Sequence, residues 1–194
     1  MPLDLKISPR VIVQGLPKSG KSTLCQAISE NTGAVHLEME HLIEDFCDRD
    51  SSFAERVSDK LRYQGRDLDD LILVQLIQKR VEMSDCAARG WVLEGFPNTR
   101  AQAILMAKKS LLPSNLIMLN IPLEEVYKRT APLQNEEYGC NRVILKKRLD
   151  YCDRNIPGMV YFFQKFYNNV TSIDGMKSKW FCNDVAIKAI SSNL

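Results

Sequence analysis

The chain has 194 residues, of which 45% are hydrophobic and 26% are charged, and its formal net charge is +2. This length and composition are typical of one globular domain with its own core, and the near-neutral charge argues against nucleic-acid binding. No apolar run is long enough for a transmembrane helix, which argues against a membrane protein. The six cysteines form no C-x-x-C pair, which favours reduced thiols in the cytoplasm. His36 and His41 are not expected to form a metal cluster with such dispersed cysteines.

Short apolar segments that alternate with helix-like segments predict five strands, at 11–14, 34–38, 91–94, 116–121 and 170–173. This alternation predicts βαβ units, and therefore an α/β fold with a parallel sheet. An apolar stripe over 71–81 predicts a helix that Asp69 or Asp70 caps. A further amphipathic helix is predicted over 141–155, and Pro157 is expected to end or kink it.

Residues 15–22, GLPKSGKS, match the phosphate-binding pattern G-x-x-x-x-G-K-[S/T] between the first strand and a helix. In such a loop, backbone N–H groups and the following helix N-terminus surround phosphate oxygens. Lys21 is expected to reach the β- and γ-phosphates, and the Ser22 hydroxyl to hold Mg²⁺. The predicted ATP-binding residues are Gly15, Lys18, Ser19, Gly20, Lys21, Ser22 and Thr23. No N-K-x-D or T-K-x-D motif is present, which argues against a guanine-specific GTPase and favours a small P-loop kinase.

Three further segments carry a family resemblance: EGFPNTRAQA (94–103), KKRLDY (146–151) and SIDG (172–175). With the P-loop, they resemble the adenylate kinase family of nucleoside monophosphate kinases, and most of all the adenylate kinase domains of multi-domain, axoneme-associated proteins. The resemblance covers nearly the whole chain. It implies a single domain over 1–194 with a three-layer fold like that of P-loop nucleoside triphosphate hydrolases, built on a five-stranded parallel sheet. It also implies a helical acceptor-binding insert at about 38–68 and a short lid at about 132–140.

The resemblance implies transfer of the ATP γ-phosphoryl group, with Mg²⁺, to AMP or a related monophosphate. Lys21, Arg129 and Arg148 would be catalytic, and Glu94 would hold Mg²⁺ through water together with Ser22. The implied acceptor-binding residues, among which Gln102 would read the adenine, are Met39, Leu68, Gly95, Asn98, Arg100 and Gln102. Such a protein would be cytoplasmic or, like the axonemal members, ciliary. It would be a monomer or a domain of a larger protein.

Several family positions carry different residues in this chain. Glu94 replaces an aspartate, Asn98 and Glu44 replace arginines that grip the acceptor phosphate, and Leu133 replaces an arginine near the lid. Each lost charge-assisted contact is worth about 1.5–3 kcal/mol, so losing two predicts monophosphate binding weaker by about 10²–10⁴-fold. The alternatives are therefore a phosphotransferase of low activity, a nucleotide-binding pseudokinase with a structural or assembly role, or a P-loop kinase for another small metabolite.

Overall fold

Five parallel strands form one sheet in the computed structural model, which describes residues 8–49, 69–130 and 142–192. The spatial order of the strands is β2-β3-β1-β4-β5. Their bounds are β1 (Arg10–Gly15), β2 (Val35–Glu38), β3 (Trp91–Glu94), β4 (Asn115–Asn120) and β5 (Val170–Asp174). The five predicted strands and the parallel sheet are thereby confirmed.

Helices cover both faces of this sheet. They are α1 (Lys21–Thr32), α2 (Met39–Arg49), α3 (Asp70–Val81), α4 (Ser84–Arg89), α5 (Arg100–Lys108), α6 (Leu123–Thr130), α7 (Arg142–Tyr167) and α8 (Lys179–Ser192). One core contains Ile28 of α1 and Ile190 of α8, and the other contains Val74 of α3, Met106 of α5 and Phe163 of α7. The predicted three-layer α/β fold is therefore confirmed. Within the described ranges, no helix has the length and apolar character needed to cross a membrane.

The two predicted amphipathic helices are both present, with one correction. Asp69 is the N-cap of α3, because its side chain accepts a hydrogen bond from the Leu71 N–H at 2.9 Å. Pro157 was expected to end or kink this helix, and the first of these was wrong, since α7 continues to Tyr167. A proline inside a helix costs about 3 kcal/mol. Burial of Met159 and Phe163, both 0% exposed, offsets this cost by fixing the following turns against the sheet.

The order of the strands places the P-loop at the carboxyl end of β1, between β3 and β4. Ligands of open α/β sheets bind at such an edge, where neighbouring connections leave in different directions. Gly15 is required there, because a Cβ atom at this position would lie 2.5 Å from the Leu119 carbonyl oxygen. The carboxyl ends of β2 and β3, at Glu38 and Glu94, flank the loop on one side.

The two predicted inserts fall only in part within the described residues. α2 lies in the predicted acceptor-binding insert and is helical, as expected. Residues 50–68, which include Leu68, and the predicted lid at 132–140, which includes Leu133, lie outside the described ranges. Both inserts and the single-domain assignment therefore stay predictions.

Candidate active site

A cavity of about 440 Å³ lies beside the P-loop at the carboxyl ends of β1 and β3. Its wall is formed by the P-loop, the start of α1, the junction of β2 with α2, the turn after β3, and α7. The predicted site residues that line it are Gly15, Lys18, Gly20, Lys21, Ser22, Thr23, Met39, Glu94, Gly95, Asn98 and Arg148. Residues predicted from three separate sequence motifs thus meet at one cavity.

The P-loop holds its lysine over the loop backbone. Lys21 Nζ donates to the carbonyl oxygens of Gly15 at 3.1 Å and Leu16 at 2.9 Å. Gly20 is the N-cap of α1 with a left-handed φ of 102°, and no side chain caps the helix there. The N–H groups of the first turn therefore have no side-chain acceptor at the cap, which is the arrangement that helix N-termini use to bind phosphate.

Ser22 and Glu94, predicted to serve Mg²⁺, are in direct contact. Ser22 Oγ donates to Glu94 Oε1 at 2.6 Å, and the other carboxylate oxygen of Glu94 lies 3.0 Å from His36 Nε2. Burial alone would raise the pKa of Glu94, but hydrogen bonds from His36 and Ser22, with the nearby charge of Lys21, outweigh it and lower the pKa. Glu94 is thus held as a carboxylate, and the pair offers the hard oxygen ligands that Mg²⁺ prefers.

His36 was not predicted to take part in the site. Its ring nitrogen, Cys25 Sγ and a Glu94 carboxylate oxygen all lie within 4.8 Å of one another. The sequence did not predict this approach of His36 to a cysteine and a carboxylate, and the expectation that the histidines form no metal cluster with the cysteines stays a prediction. The residues are far apart in sequence, and the α1–β2 connection and the pairing of β2 with β3 bring them together. His41, by contrast, is exposed, and its Nδ1 lies 3.2 Å from a Glu38 carboxylate oxygen.

Gln14 is a further site residue that sequence reasoning missed. It is 1% exposed, and its Nε2 donates to the Pro97 carbonyl at 2.8 Å and to Asn98 Oδ1 at 3.1 Å. Gln14 therefore fixes the turn that presents Gly95 and Asn98 to the cavity. The available signal was a polar residue that ends an otherwise apolar strand, because a buried amide at such a place needs specific partners.

Two predicted acceptor residues, Arg100 and Gln102, do not line the cavity. Gln102 is 5% exposed, and its Oε1 accepts from the N–H groups of Asn98 at 2.7 Å and Thr99 at 3.2 Å. Its Nε2 donates to Asp70 Oδ1 at 2.7 Å, so the amide joins the start of α5 to the start of α3. A role for Gln102 in reading adenine stays a prediction. To bind adenine, its side-chain amide would have to give up these hydrogen bonds.

Arg129 lies behind the P-loop and lines a separate cavity of about 200 Å³. Its guanidinium donates to the carbonyl oxygens of Lys18 and Ser19, each at 3.2 Å, and to that of Gly175 at 3.3 Å. Glu125 accepts from its Nε at 2.8 Å. Arg148, by contrast, is exposed on α7 and lines the main cavity.

The described wall of the main cavity carries equal numbers of opposite charges. Three cationic side chains and three carboxylates line it: Lys18, Lys21, Arg148, Glu38, Glu40 and Glu94. Two of the carboxylates, Glu38 and Glu40, lie at the junction of β2 with α2, in the segment that the sequence predicts to bind the acceptor. Glu44, by contrast, is exposed one helical turn beyond Glu40 and is not part of the wall.

Comparison with known proteins assigns the chain to a family. The family described as adenylate kinase matches residues 13–168. Adenylate kinase 8 of Xenopus laevis is 34% identical over 182 residues, which cover 81% of this chain and 37% of that protein. Adenylate kinase 9 of Mus musculus is 26% identical over 190 residues, which cover 93% of this chain and 10% of that protein.

A plant relative, the probable chloroplastic adenylate kinase 2 of Oryza sativa subsp. japonica, is 25% identical over 181 residues, with 84% of this chain and 60% of that protein covered. The chain thus spans only part of the length of each of these relatives. The family match nevertheless runs from within β1 to the end of α7, and it includes all the described residues that line the main cavity. The chain belongs to the adenylate kinase family.

Proposed function

We propose that the chain is a nucleoside monophosphate kinase of adenylate kinase type, which transfers the γ-phosphoryl group of ATP to AMP or a related monophosphate. The observation that carries the proposal is that Lys21 of the P-loop, the Gly95–Asn98 turn and Arg148 line one cavity. Its volume of about 440 Å³ lies in the range of about 300–1,000 Å³ that is usual for small-molecule sites. Donor and acceptor can therefore meet in one place.

Phosphoryl transfer of this kind requires positioning and positive charge rather than covalent chemistry from the protein. Lys21 would exchange its bonds to the Gly15 and Leu16 carbonyls for bonds to the β- and γ-phosphates. Arg148, which lines the same cavity, would contact the group in transfer. Gly95 leaves space for the acceptor, since the nearest atom to a Cβ built there is Lys21 Cε, at 3.9 Å.

Mg²⁺ fits the residues beside Lys21. Ser22 and Glu94 would hold the cation, directly or through water, because both offer oxygen ligands and already lie within hydrogen-bond distance of each other. When bound, the cation supplies positive charge that neutralises the phosphate oxygens. His36 keeps Glu94 ionised and oriented through its hydrogen bond to the carboxylate.

The altered acceptor side lowers the expected affinity for AMP without removing the donor residues. Asn98 lines the cavity as a neutral side chain, and Glu38 and Glu40 bring negative charge to the same region. A nucleotide-binding pseudokinase is not favoured, because the family match and the kinase relatives agree with the intact P-loop. No contact in the described residues favours a different small metabolite as the acceptor.

The cellular setting is part of the proposal. The cysteines among the described residues are all free thiols, which supports a reducing compartment such as the cytoplasm. A ciliary location, and existence as a monomer or as a domain of a larger protein, stay predictions.

The proposal is tested by following AMP-dependent ADP formation together with ATP binding in Lys21→Ala. Loss of one charge-assisted contact of about 1.5–3 kcal/mol should weaken ATP binding by about 10–100-fold and abolish transfer. Lys188→Ala is the matched control, because Lys188 is an exposed lysine on α8 that pairs with Asp184. Unchanged ATP affinity in Lys21→Ala would contradict the P-loop assignment. ATP binding by the wild type without AMP-dependent ADP formation would instead favour the pseudokinase.

A further inference from the structure

We propose that Cys25, His36 and Glu94 form a binding site for Zn²⁺ that overlaps the position expected for Mg²⁺. One ligand atom of each residue lies within 4.8 Å of the other two, and His36 Nε2 is already 3.0 Å from Glu94 Oε2. The three side chains come from α1, β2 and β3. The sheet and its packed helix therefore fix their relative positions.

The convergence follows from the register of the sheet. His36 lies opposite Val92 in the pairing of β2 with β3, and Glu94, two residues beyond Val92, projects to the same face of the sheet. Cys25 and Val92 belong to one buried core on that face. The thiol is thus held over the strands that carry the imidazole and the carboxylate.

The distances are close to those of a tetrahedral site. Zinc–sulfur bonds of about 2.3 Å and zinc–nitrogen or zinc–oxygen bonds of about 2.0–2.1 Å place neighbouring ligand atoms about 3.3–3.6 Å apart. Ligand atoms that lie up to 4.8 Å apart would therefore have to approach each other by at most about 1.2–1.5 Å. We expect rotation of the three side chains to supply this change.

The ligand types select the cation. Mg²⁺ takes oxygen ligands, whereas a thiolate with an imidazole and a carboxylate suits Zn²⁺. Cys25 would bind as the thiolate, and its proton would pass to solvent as the metal binds. The ion has a route to the site, because Glu94 lines the nucleotide cavity and the His36 side chain is 26% exposed. Three protein ligands leave a fourth position for water.

Zinc binding would compete with the magnesium role of Glu94. The carboxylate that would bind zinc now accepts a hydrogen bond from Ser22 at 2.6 Å. Turning the Glu94 carboxylate toward Cys25 to bind zinc would weaken its contact with Ser22, so Zn²⁺ is expected to inhibit transfer. This inhibition rests on the proposed kinase function, whereas the existence of the zinc site does not.

The site is tested on the whole chain without nucleotide, with Co²⁺ as a spectroscopic probe and Zn²⁺ in calorimetry. The wild type should develop a thiolate-to-cobalt charge-transfer absorption that Zn²⁺ abolishes by displacement. Cys25→Ala should lack this absorption, and Cys47→Ala, which removes a free thiol on α2, should keep it. His36→Gln should weaken Zn²⁺ binding by about tenfold or more, since even loss of a residue that only orients a ligand costs about 10–100-fold.

Cys25 is fully buried, so circular dichroism must show that Cys25→Ala is folded. If this variant does not fold, the partly exposed His36→Gln decides the question. Equal Zn²⁺ affinity in His36→Gln and the wild type would overturn the proposal, as would a charge-transfer absorption that disappears in Cys47→Ala. Inhibition is measured separately, by chromatographic detection of ADP at constant Mg²⁺ and ATP. An inactive wild type that still gives the cobalt spectrum would refute the kinase function but keep the zinc site.

Discussion

Replacing Asn98 with arginine should restore a phosphate contact on the acceptor side of the cavity. Asn98 lines the cavity, and its side-chain oxygen accepts a hydrogen bond from Gln14 Nε2 at 3.1 Å. Gln14 keeps a second acceptor, the Pro97 carbonyl at 2.8 Å, when Asn98 is removed. The substitution therefore removes the acceptor of one of the two Gln14 N–H donors, while the bond to Pro97 should keep the shape of the turn.

The magnitude follows from the bonds exchanged. A charge-assisted hydrogen bond to the acceptor phosphate contributes about 1.5–3 kcal/mol, and the neutral bond between Asn98 and Gln14 about 0.5–1.5 kcal/mol. The net gain is about 1 kcal/mol, which corresponds to a five- to tenfold lower KM for AMP. Asn98 is only partly buried, so the gain should shrink as salt screens the new charge.

Steady-state assays that vary AMP at saturating ATP, and the reverse, measure the effect. Asn98→Gln is the control for side-chain length without charge, and it should not lower the KM for AMP. Glu44→Arg should give a smaller and more salt-sensitive gain, because Glu44 is exposed and does not line the cavity. The reasoning is refuted if Asn98→Arg leaves the KM for AMP unchanged, or if Glu44→Arg alone produces the whole gain.

Three further predictions concern charge, packing and pH. Arg148→Ala should lower kcat by about a hundredfold with a much smaller rise in the KM for ATP; the reverse pattern would assign Arg148 to ATP binding. Phe163→Ala removes a side chain that is 0% exposed, so urea denaturation should show about 3–5 kcal/mol lower unfolding free energy; a loss below about 1 kcal/mol would contradict this packing. The hydrogen bond from Arg80 lowers the pKa of Asp85 to about 2 from 3.8. Because a lowered folded-state pKa stabilises above the unfolded pKa, Asp85→Asn should be less stable than wild type above pH 4. That difference should close as the pH falls from 4 to 2, and a constant difference would contradict the pairing.

The sequence by itself determined the fold class and the position of the P-loop. Buried parallel strands are recognisable as short, continuous apolar segments. The GLPKSGKS loop is recognisable because a phosphate-binding turn depends on residues that are adjacent in sequence. The approach of Ser22 to Glu94 follows in part from the same pattern. The carboxyl ends of adjacent parallel strands meet at one edge of a sheet, and the P-loop and the Gly95 turn both leave from that edge.

Only the tertiary structure decided which polar side chains meet. His36 and Glu94 are separated by 58 positions, and their contact depends on strand register and on the face each side chain occupies, which no local pattern records. The side-chain amide of Gln102 likewise forms hydrogen bonds that join the start of α5 to the start of α3, which the sequence did not predict. α7 passes through Pro157 because residues beyond it are buried against the sheet. In each case the deciding free energy comes from contacts between segments that are distant in sequence. These contacts outweigh the conformational preference of the local segment.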